Sequence, residues 1–245
     1  MPFTEGRLEM RWLLIIAVCG AASAASSGQF GRVLASFPAP NGFCHSLGWD
    51  GSYLWSLYDD HTNPIKVYRL NPVNGSVISS FQYHEAPVHG EPGLAADASY
   101  LYIAHGSPDH IHTWTHTGSL LNTFKWPFFH RGLAYDGVYF WCGETPYYLI
   151  KTTLPGSVVA SFEVGFLVYD VGYDGDFLIC TSLDKLYAVT TAGSVVKTVA
   201  APATLGCDWG GGYIWVGGSH IYKLGWVSLI GNQPFSFGRI KALWR

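Results

Sequence analysis

The sequence predicts an all-β fold: a five-bladed β-propeller of four-stranded antiparallel blades, with the ring closed by an N-terminal strand. Three observations carry that prediction. The first is a phrase that occurs five times, as Leu47-Gly-Trp-Asp-Gly-Ser-Tyr-Leu-Trp55, Leu94-Ala-Ala-Asp-Ala-Ser-Tyr-Leu-Tyr102, Leu133-Ala-Tyr-Asp-Gly-Val-Tyr-Phe-Trp141, Val171-Gly-Tyr-Asp-Gly-Asp-Phe-Leu-Ile179 and Cys207-Asp-Trp-Gly-Gly-Gly-Tyr-Ile-Trp215. A period of about 40 residues, built from short β-type segments and glycine turns, is the signature of a propeller or a related array. The second is that each unit divides into four strand-like pieces. The third is a lone copy of the last piece, standing ahead of the first unit.

Within the first unit the inner strand spans His45 to Trp49, and an Asp-Gly turn follows, which supplies the positive φ of a tight hairpin. The second strand, Tyr53-Leu-Trp-Ser-Leu-Tyr58, is apolar or aromatic on both faces, as a sheet packed on both sides requires. Its leading aromatic recurs as Tyr53, Tyr100, Tyr139, Phe177 and Tyr213, and is expected to be buried between blades. The third strand, Ile65 to Leu70, is echoed at Leu186–Val189 and Ile221–Leu224. The fourth starts at a turn glycine: Gly75-Ser-Val-Ile-Ser-Ser-Phe81, Gly118 to Phe124, Gly156 to Phe162 and Gly193 to Val199.

The lone copy is Gly31-Arg-Val-Leu-Ala-Ser-Phe37, and the fifth unit has no clear fourth strand directly after Leu224. Placing the N-terminal copy beside the last unit leaves no blade with a missing strand. The C-terminal phrase Phe237-Gly-Arg-Ile-Lys-Ala-Leu-Trp244 resembles the same strand and is the competing candidate for that position. The domain reading is therefore a leader at 1–24, a propeller at 25–224, and a tail at 225–245 that packs on the rim or edge of the last blade.

The leader reading rests on Arg7 and Arg11, the short apolar run Trp12 to Val18, and the small-residue cleavage site Ala22-Ser23-Ala24. The run is too short to span a bilayer. The protein is expected to be secreted or periplasmic after cleavage near Ala24, bacterial in type, and monomeric. Of the five cysteines, Cys44, Cys142, Cys180 and Cys207 remain in the mature chain. Cys142 and Cys180 hold equivalent places in adjacent units, too far apart for a bridge, and read as small buried hydrophobes. Cys44 and Cys207 fall in the first and last units, where a disulfide is an open alternative.

Composition limits the function. The chain carries 13% charged residues and a net charge of −3, with 16% aromatic residues. That gives no basic surface for a nucleic-acid backbone. No Ser/His/Asp phrase, P-loop or dinucleotide fingerprint occurs. The repeat aspartates Asp50, Asp97, Asp136 and Asp174 are expected to serve the turn.

The phrase Gly-Trp-Asp-Gly-x-Tyr-Leu-Trp, followed by Ile-x-Lys/Arg-Leu-x-Pro and Gly-Ser-Val-x-x-Ser-Phe, resembles the repeat of exported bacterial propellers. These include the glutaminyl-cyclotransferase-like and YVTN/NHL-type propellers. The resemblance covers most of residues 30–224 and implies the fold. Cyclotransferases of this kind carry Thr-Gln-Gly-Leu, Phe-Gly-Glu-Gly and Glu-Gly-Trp-Gly-like phrases where inner strands begin. Here those places read Cys44-His-Ser-Leu47, His89-Gly-Glu-Pro-Gly-Leu94 and Val168-Tyr-Asp-Val171, so only Glu91 echoes the pattern.

Propeller ligands sit at a mouth of the central channel. Aligning the units brings His45, Glu91, His130, Arg131, Tyr169 and Asp170 to the mouth where inner strands start. Acid, base and cation meet there, which suits a small polar pocket. The competing reading has these residues satisfy one another around a solvated hole. His110 and His112 lie on one strand face and are a candidate metal pair if Asp109, His105 or Glu85 joins them; otherwise they are surface histidines, and no cofactor is expected. The first functional expectation is a binding module for a protein, peptide or glycan. The second is an enzyme with its site in the channel mouth.

Overall fold

In a computed structural model of the chain, the structure describes residues 30–59, 65–83, 92–106, 109–126, 130–203 and 205–226, without the side chains of 105–109 and 130. The leader expected at 1–24 and the last nineteen positions, 227–245, lie outside the described residues, as does the competing strand candidate Phe237–Trp244. The described chain forms five four-stranded antiparallel sheets. The first strand, β1 (Val33–Pro38), stands apart in sequence. Blade one holds β2 (Ser46–Trp49), β3 (Leu54–Tyr58), β4 (Lys66–Leu70) and β5 (Val77–Gln82). Blade two holds β6 (Gly93–Ala96), β7 (Tyr100–Gly106), β8 (Asp109–Thr115) and β9 (Leu120–Lys125). Blade three holds β10 (His130–Tyr135), β11 (Phe140–Glu144), β12 (Tyr148–Thr152) and β13 (Val158–Glu163). Blade four holds β14 (Asp170–Tyr173), β15 (Phe177–Ser182), β16 (Lys185–Thr190) and β17 (Val195–Ala200). Blade five holds β18 (Cys207–Gly210), β19 (Tyr213–Gly217) and β20 (His220–Gly225), and its outer strand is β1.

The β1–β20 pairing closes the ring. Val33 faces Leu224 and Phe37 faces Ile221, with a register shift near Ala35. The contacts between blades show why the displaced strand is a full member. Outer strands end in a large apolar residue that, in three blades, packs on the turn glycine of the next blade: Phe81 on Gly118, Phe162 on Gly193 and Val199 on Gly31. Phe37 then packs on Gly75 of blade one, where a side chain would collide with its ring and the backbone has φ +73°. The lone N-terminal copy therefore supplies both halves of the contact, its glycine to blade four and its phenylalanine to blade one.

Five apolar clusters fill the five seams. Trp55, Val67, Leu94 and Ile103 join blades one and two. Cys44, Leu54, Trp215 and Ile221 join blade five to blade one, so the last seam is packed like the others. The repeat aspartates hold the turns as expected. Asp50 Oδ1 accepts from the N–H groups of Ser52 and Tyr53 at 2.8 and 2.7 Å, and Asp136 Oδ1 from Val138 and Tyr139 at 2.9 and 2.7 Å. The second oxygen does more than the turn requires. It accepts from Trp55 Nε1 at 2.8 Å, Tyr102 Oη at 2.9 Å and Trp141 Nε1 at 2.9 Å, always five residues on. One carboxylate thus fixes the hairpin and the aromatic that fills the seam.

The leading aromatics of the second strands depart from expectation. Tyr100 is 40% exposed, and Tyr53, Tyr139, Phe177 and Tyr213 are half-buried. The strand emerges from the turn at that position, ahead of the seam. Cations from third strands cover three of these rings instead: Arg69 Cζ lies 3.8 Å from the Tyr53 centroid, Lys151 Nζ 4.1 Å from Tyr139 and Lys223 Nζ 3.6 Å from Tyr213. The buried positions are the next two, such as Leu54 and Trp55.

Two outcomes test this architecture. Removing residues 25–38 strips β20 of its outer neighbour and leaves it an unpaired edge, which is expected to produce aggregation and a lower Tm, read by light scattering and thermal melting; a monomer with unchanged Tm would contradict β1 closure. Trp141→Phe keeps most of the seam packing and removes the bond to Asp136, so it is expected to cost about 2 kcal/mol in a denaturant titration.

Candidate functional site

The five inner strands surround the axis with main-chain groups. The position just before each repeat phrase reads Ser46, Gly93, Gly132, Asp170 and Gly206. Space explains the glycines: at Gly132 (φ +65°) a side chain would collide with Asp170. Only one residue in this ring has room to reach the centre, and Asp170 does so, fully buried. Its Oδ1 accepts from Val171 N at 2.9 Å and Leu133 N at 3.2 Å. Its Oδ2 accepts from Ser46 Oγ at 2.8 Å, Cys207 N at 2.9 Å and Leu47 N at 3.4 Å. Ser46 Oγ in turn accepts from Leu94 N at 2.8 Å. One carboxyl and one hydroxyl therefore tie all five inner strands at the axis. Burial pushes the Asp170 carboxyl well above the usual carboxylate range, against the lowering effect of the donors from Cys207, Ser46 and Val171; nearby Asp208 raises it further.

This plug separates two mouths. On the side where inner strands begin, the structure brings Arg131 and Tyr169 together, with the guanidinium carbon 5.2 Å from the ring centroid. Arg131 Nε is buried and has no acceptor among the described residues. His45 stands edge-on to Phe43, with centroids 4.8 Å apart. Asp170 lies below this mouth, with both oxygens engaged by the strands. Glu91 and the side chain of His130 lie outside the described residues; the His130 backbone pairs with Glu144.

On the far side, where inner strands end, lies a cavity of about 170 Å³ lined by Trp49, Ala95, Ala96, Leu133, Ala134, Tyr135, Tyr173, Asp208 and Trp209. Sequence reasoning did not single out this end, although two columns of the repeat point to it. The third residue of each phrase reads Trp49, Ala96, Tyr135, Tyr173 and Trp209, and the second reads Gly48, Ala95, Ala134, Gly172 and Asp208. Asp208 Oδ1 accepts from Trp209 N at 2.8 Å, and backbone N–H groups of Trp49 and Tyr173 also donate to this carboxylate. Burial outweighs these donors and pushes its pKa up to about 8.

The four cysteines among the described residues are free and buried, so neither the Cys44–Cys207 pair nor the Cys142–Cys180 pair is bridged. Cys44 Sγ donates to Ser46 O at 3.4 Å and Cys207 Sγ to Ile179 O at 3.2 Å. Burial pushes the Cys44 thiol up to about 12 and raises the other three, which removes the thiolate needed for nucleophilic chemistry. The rings of His110 and His112 lie 5.9 Å apart, and His112 Nδ1 is 3.1 Å from Thr123 Oγ1. Among the described residues no group of three or more His, Cys, Asp or Glu is placed to hold a metal. The side chains of His105 and Asp109, and all of Glu85, lie outside them.

The axis and its two mouths define a five-bladed propeller with a closed centre. Its fold is similar to that of Myxococcus xanthus glutaminyl cyclase, over 79% of this chain and 94% of that one, with a TM-score of 0.65 and 13% identity. The WD40 β-propeller domain of Doa1 aligns over 76% of this chain and 64% of that one, at a TM-score of 0.48 and 18% identity. The likeness to the cyclase, at 13% identity, establishes the fold alone. No family model and no curated protein matches the chain. Among the described residues no helix is long and apolar enough to cross a membrane.

Asp170→Ala would leave buried N–H groups on several strands without an acceptor and is expected to cost about 3–5 kcal/mol, read by denaturant unfolding. A second outcome concerns pH. Asp208 keeps its proton to about 8 in the folded chain but loses it near 3.8 when unfolded, so the native state binds more protons between those values. Stability is therefore expected to fall as pH rises from about 4 to about 8. Asp170 contributes in the same direction, and Asp208→Asn is expected to flatten part of the slope in Tm measured against pH.

Proposed function

We propose that the protein is an exported, secreted or periplasmic propeller that binds a protein, peptide or glycan through an anionic group held at the mouth where inner strands begin. The observation that supports this reading is Arg131. Its guanidinium carbon lies 5.2 Å from the Tyr169 ring centroid, within cation–π range, and its buried Nε has no acceptor among the described residues. An arginine held this way presents a planar donor fork suited to a carboxylate or sulfate. Of the two acids predicted for this mouth, Glu91 and Asp170, the side chain of Asp170 is described, and its oxygens are both occupied by strand donors, which favours binding over proton transfer. Export rests on the leader that the sequence of residues 1–24 predicts.

The mature chain, beginning at residue 25, would be screened against arrays of acidic peptides and glycans, with hits measured by calorimetry. Saturable binding that Arg131→Ala abolishes, with Tm nearly unchanged, is the expected result, because a mouth residue contributes little packing. A clear loss of stability with binding intact would make Arg131 a structural partner and remove the reading. Ammonia release from peptides with N-terminal glutamine, lost in the same variant, would replace it with cyclase-type catalysis.

A further inference from the structure

From the far cavity we infer a second site, on the opposite side of the Asp170 plug, that binds an organic ammonium group: the charged head of a quaternary amine or the end of a lysine side chain. The inference does not depend on the Arg131 reading.

The cavity has the size and lining for such a group. About 170 Å³ is below the roughly 300–1,000 Å³ of a pocket for a whole drug-sized ligand, and suits a head group. Its wall carries four aromatic side chains, Trp49, Tyr135, Tyr173 and Trp209, and one ionisable acid, Asp208; no lining residue is cationic. Aromatic rings around an acid are the surroundings an alkylammonium favours, since ring faces attract its charge and its methyl groups are poorly hydrated.

The wall is fixed before any ligand arrives. Tyr135 Oη donates to Gly137 O at 2.9 Å and Tyr173 Oη to Gly175 O at 2.7 Å, so each hydroxyl is tied to its own turn. Trp49 stacks near Trp215, centroids 6.5 Å apart and planes 12° from parallel. Rings held in place lose little entropy on binding.

Two departures from the repeat create the site. Ala96 stands where the other four units carry an aromatic, and it opens the ring. Asp208 stands where the other four carry Gly or Ala. A carboxylate offers about four lone-pair positions. Asp170 meets five donors, whereas three backbone N–H groups reach Asp208. Asp208 keeps acceptor capacity on the cavity side. Burial holds its proton to about pH 8, and a bound cation would favour the ionised form, so affinity rises with pH across that range. The other titratable groups that interact with Asp208 are the Cys207 thiol and Asp170 in the layer beneath; Tyr135 and Tyr173 line the same cavity with their hydroxyls turned to their own turns.

Calorimetry on the mature chain at pH 7 and pH 9 tests the site with choline, tetramethylammonium and Nα-acetyl-lysine methylamide. The neutral choline isostere 3,3-dimethylbutanol and matched sodium chloride serve as controls. Saturable binding of an ammonium probe, tighter at pH 9 and at least about tenfold weaker for the neutral isostere, is expected. Tighter choline would assign the natural source to free quaternary amines, and tighter lysine to protein side chains. Asp208→Asn should weaken binding about tenfold and remove its pH dependence. Ala96→Tyr restores the aromatic of the other units, fills the cavity and should abolish binding with Tm maintained, which covers the case in which the Asp208 variant fails to fold. Arg131→Ala should leave ammonium binding unchanged. No saturable binding at pH 9, equal binding of the neutral isostere, or full binding by a folded Asp208→Asn or Ala96→Tyr protein would overturn the proposal.

Discussion

Five inner strands meet at one axis, and their main-chain N–H groups converge there out of reach of bulk water. Buried donors of this kind need acceptors. Asp170 meets the need, with Ser46 extending its reach to the strand of blade two. Much else follows from that arrangement. A side chain in the middle leaves no space for others in the same ring, so three of the four remaining positions are glycine and the fourth is serine. The strands can then approach closely enough for every seam to pack. The plug also turns one channel into two separate mouths, which frees each end to carry its own chemistry.

The propeller was legible because each local signal agreed with the global one. Asp-Gly turns, two-sided apolar strands and a glycine before each outer strand recur at one period, and tertiary contacts reinforce them. The lone Gly31–Phe37 copy pointed to closure, and its two conserved-in-repeat features, Gly31 and Phe37, are the ones that touch blades four and one. The exposure of Tyr100 and its equivalents was not legible. Recurrence marks a position as serving the repeat, yet burial is only one such service. Standing under a cation from the neighbouring strand is another, and Arg69, Lys151 and Lys223 look in sequence like ordinary surface charges.

The axis was partly legible. Asp170 stood out as the acid in a column of small residues, and the same column shows why nothing else fits beside it. Periodicity does not tell whether such a side chain turns outward to a mouth or inward to the donors of other strands. That choice depends on how close the strands come, which only the packed ring fixes. Asp208 was harder still. Its position follows the repeat phrase's first residue, where attention to strand-leading loops does not fall, and its raised pKa comes from burial that a sequence does not display.

A repeated frame makes departures from the repeat the informative positions. Gly210 is the clearest case away from the axis. The other four units place an aspartate there to hold the turn and, in three of them, the seam aromatic. In the fifth unit Trp215 Nε1 donates to Gly210 O at 3.1 Å, so the main chain takes over the role of the carboxylate. The gain from losing the side chain is space: any side chain at Gly210 would collide with the Trp49 ring. Trp49 can lie over the turn of blade five only because Gly210 is bare, and from there it forms part of the wall of the far cavity. The exception at 210, the aromatic at 49, the opening at Ala96 and the charge at Asp208 are thus parts of one arrangement. A frame needed only for stability has no use for all four at the same end of the axis.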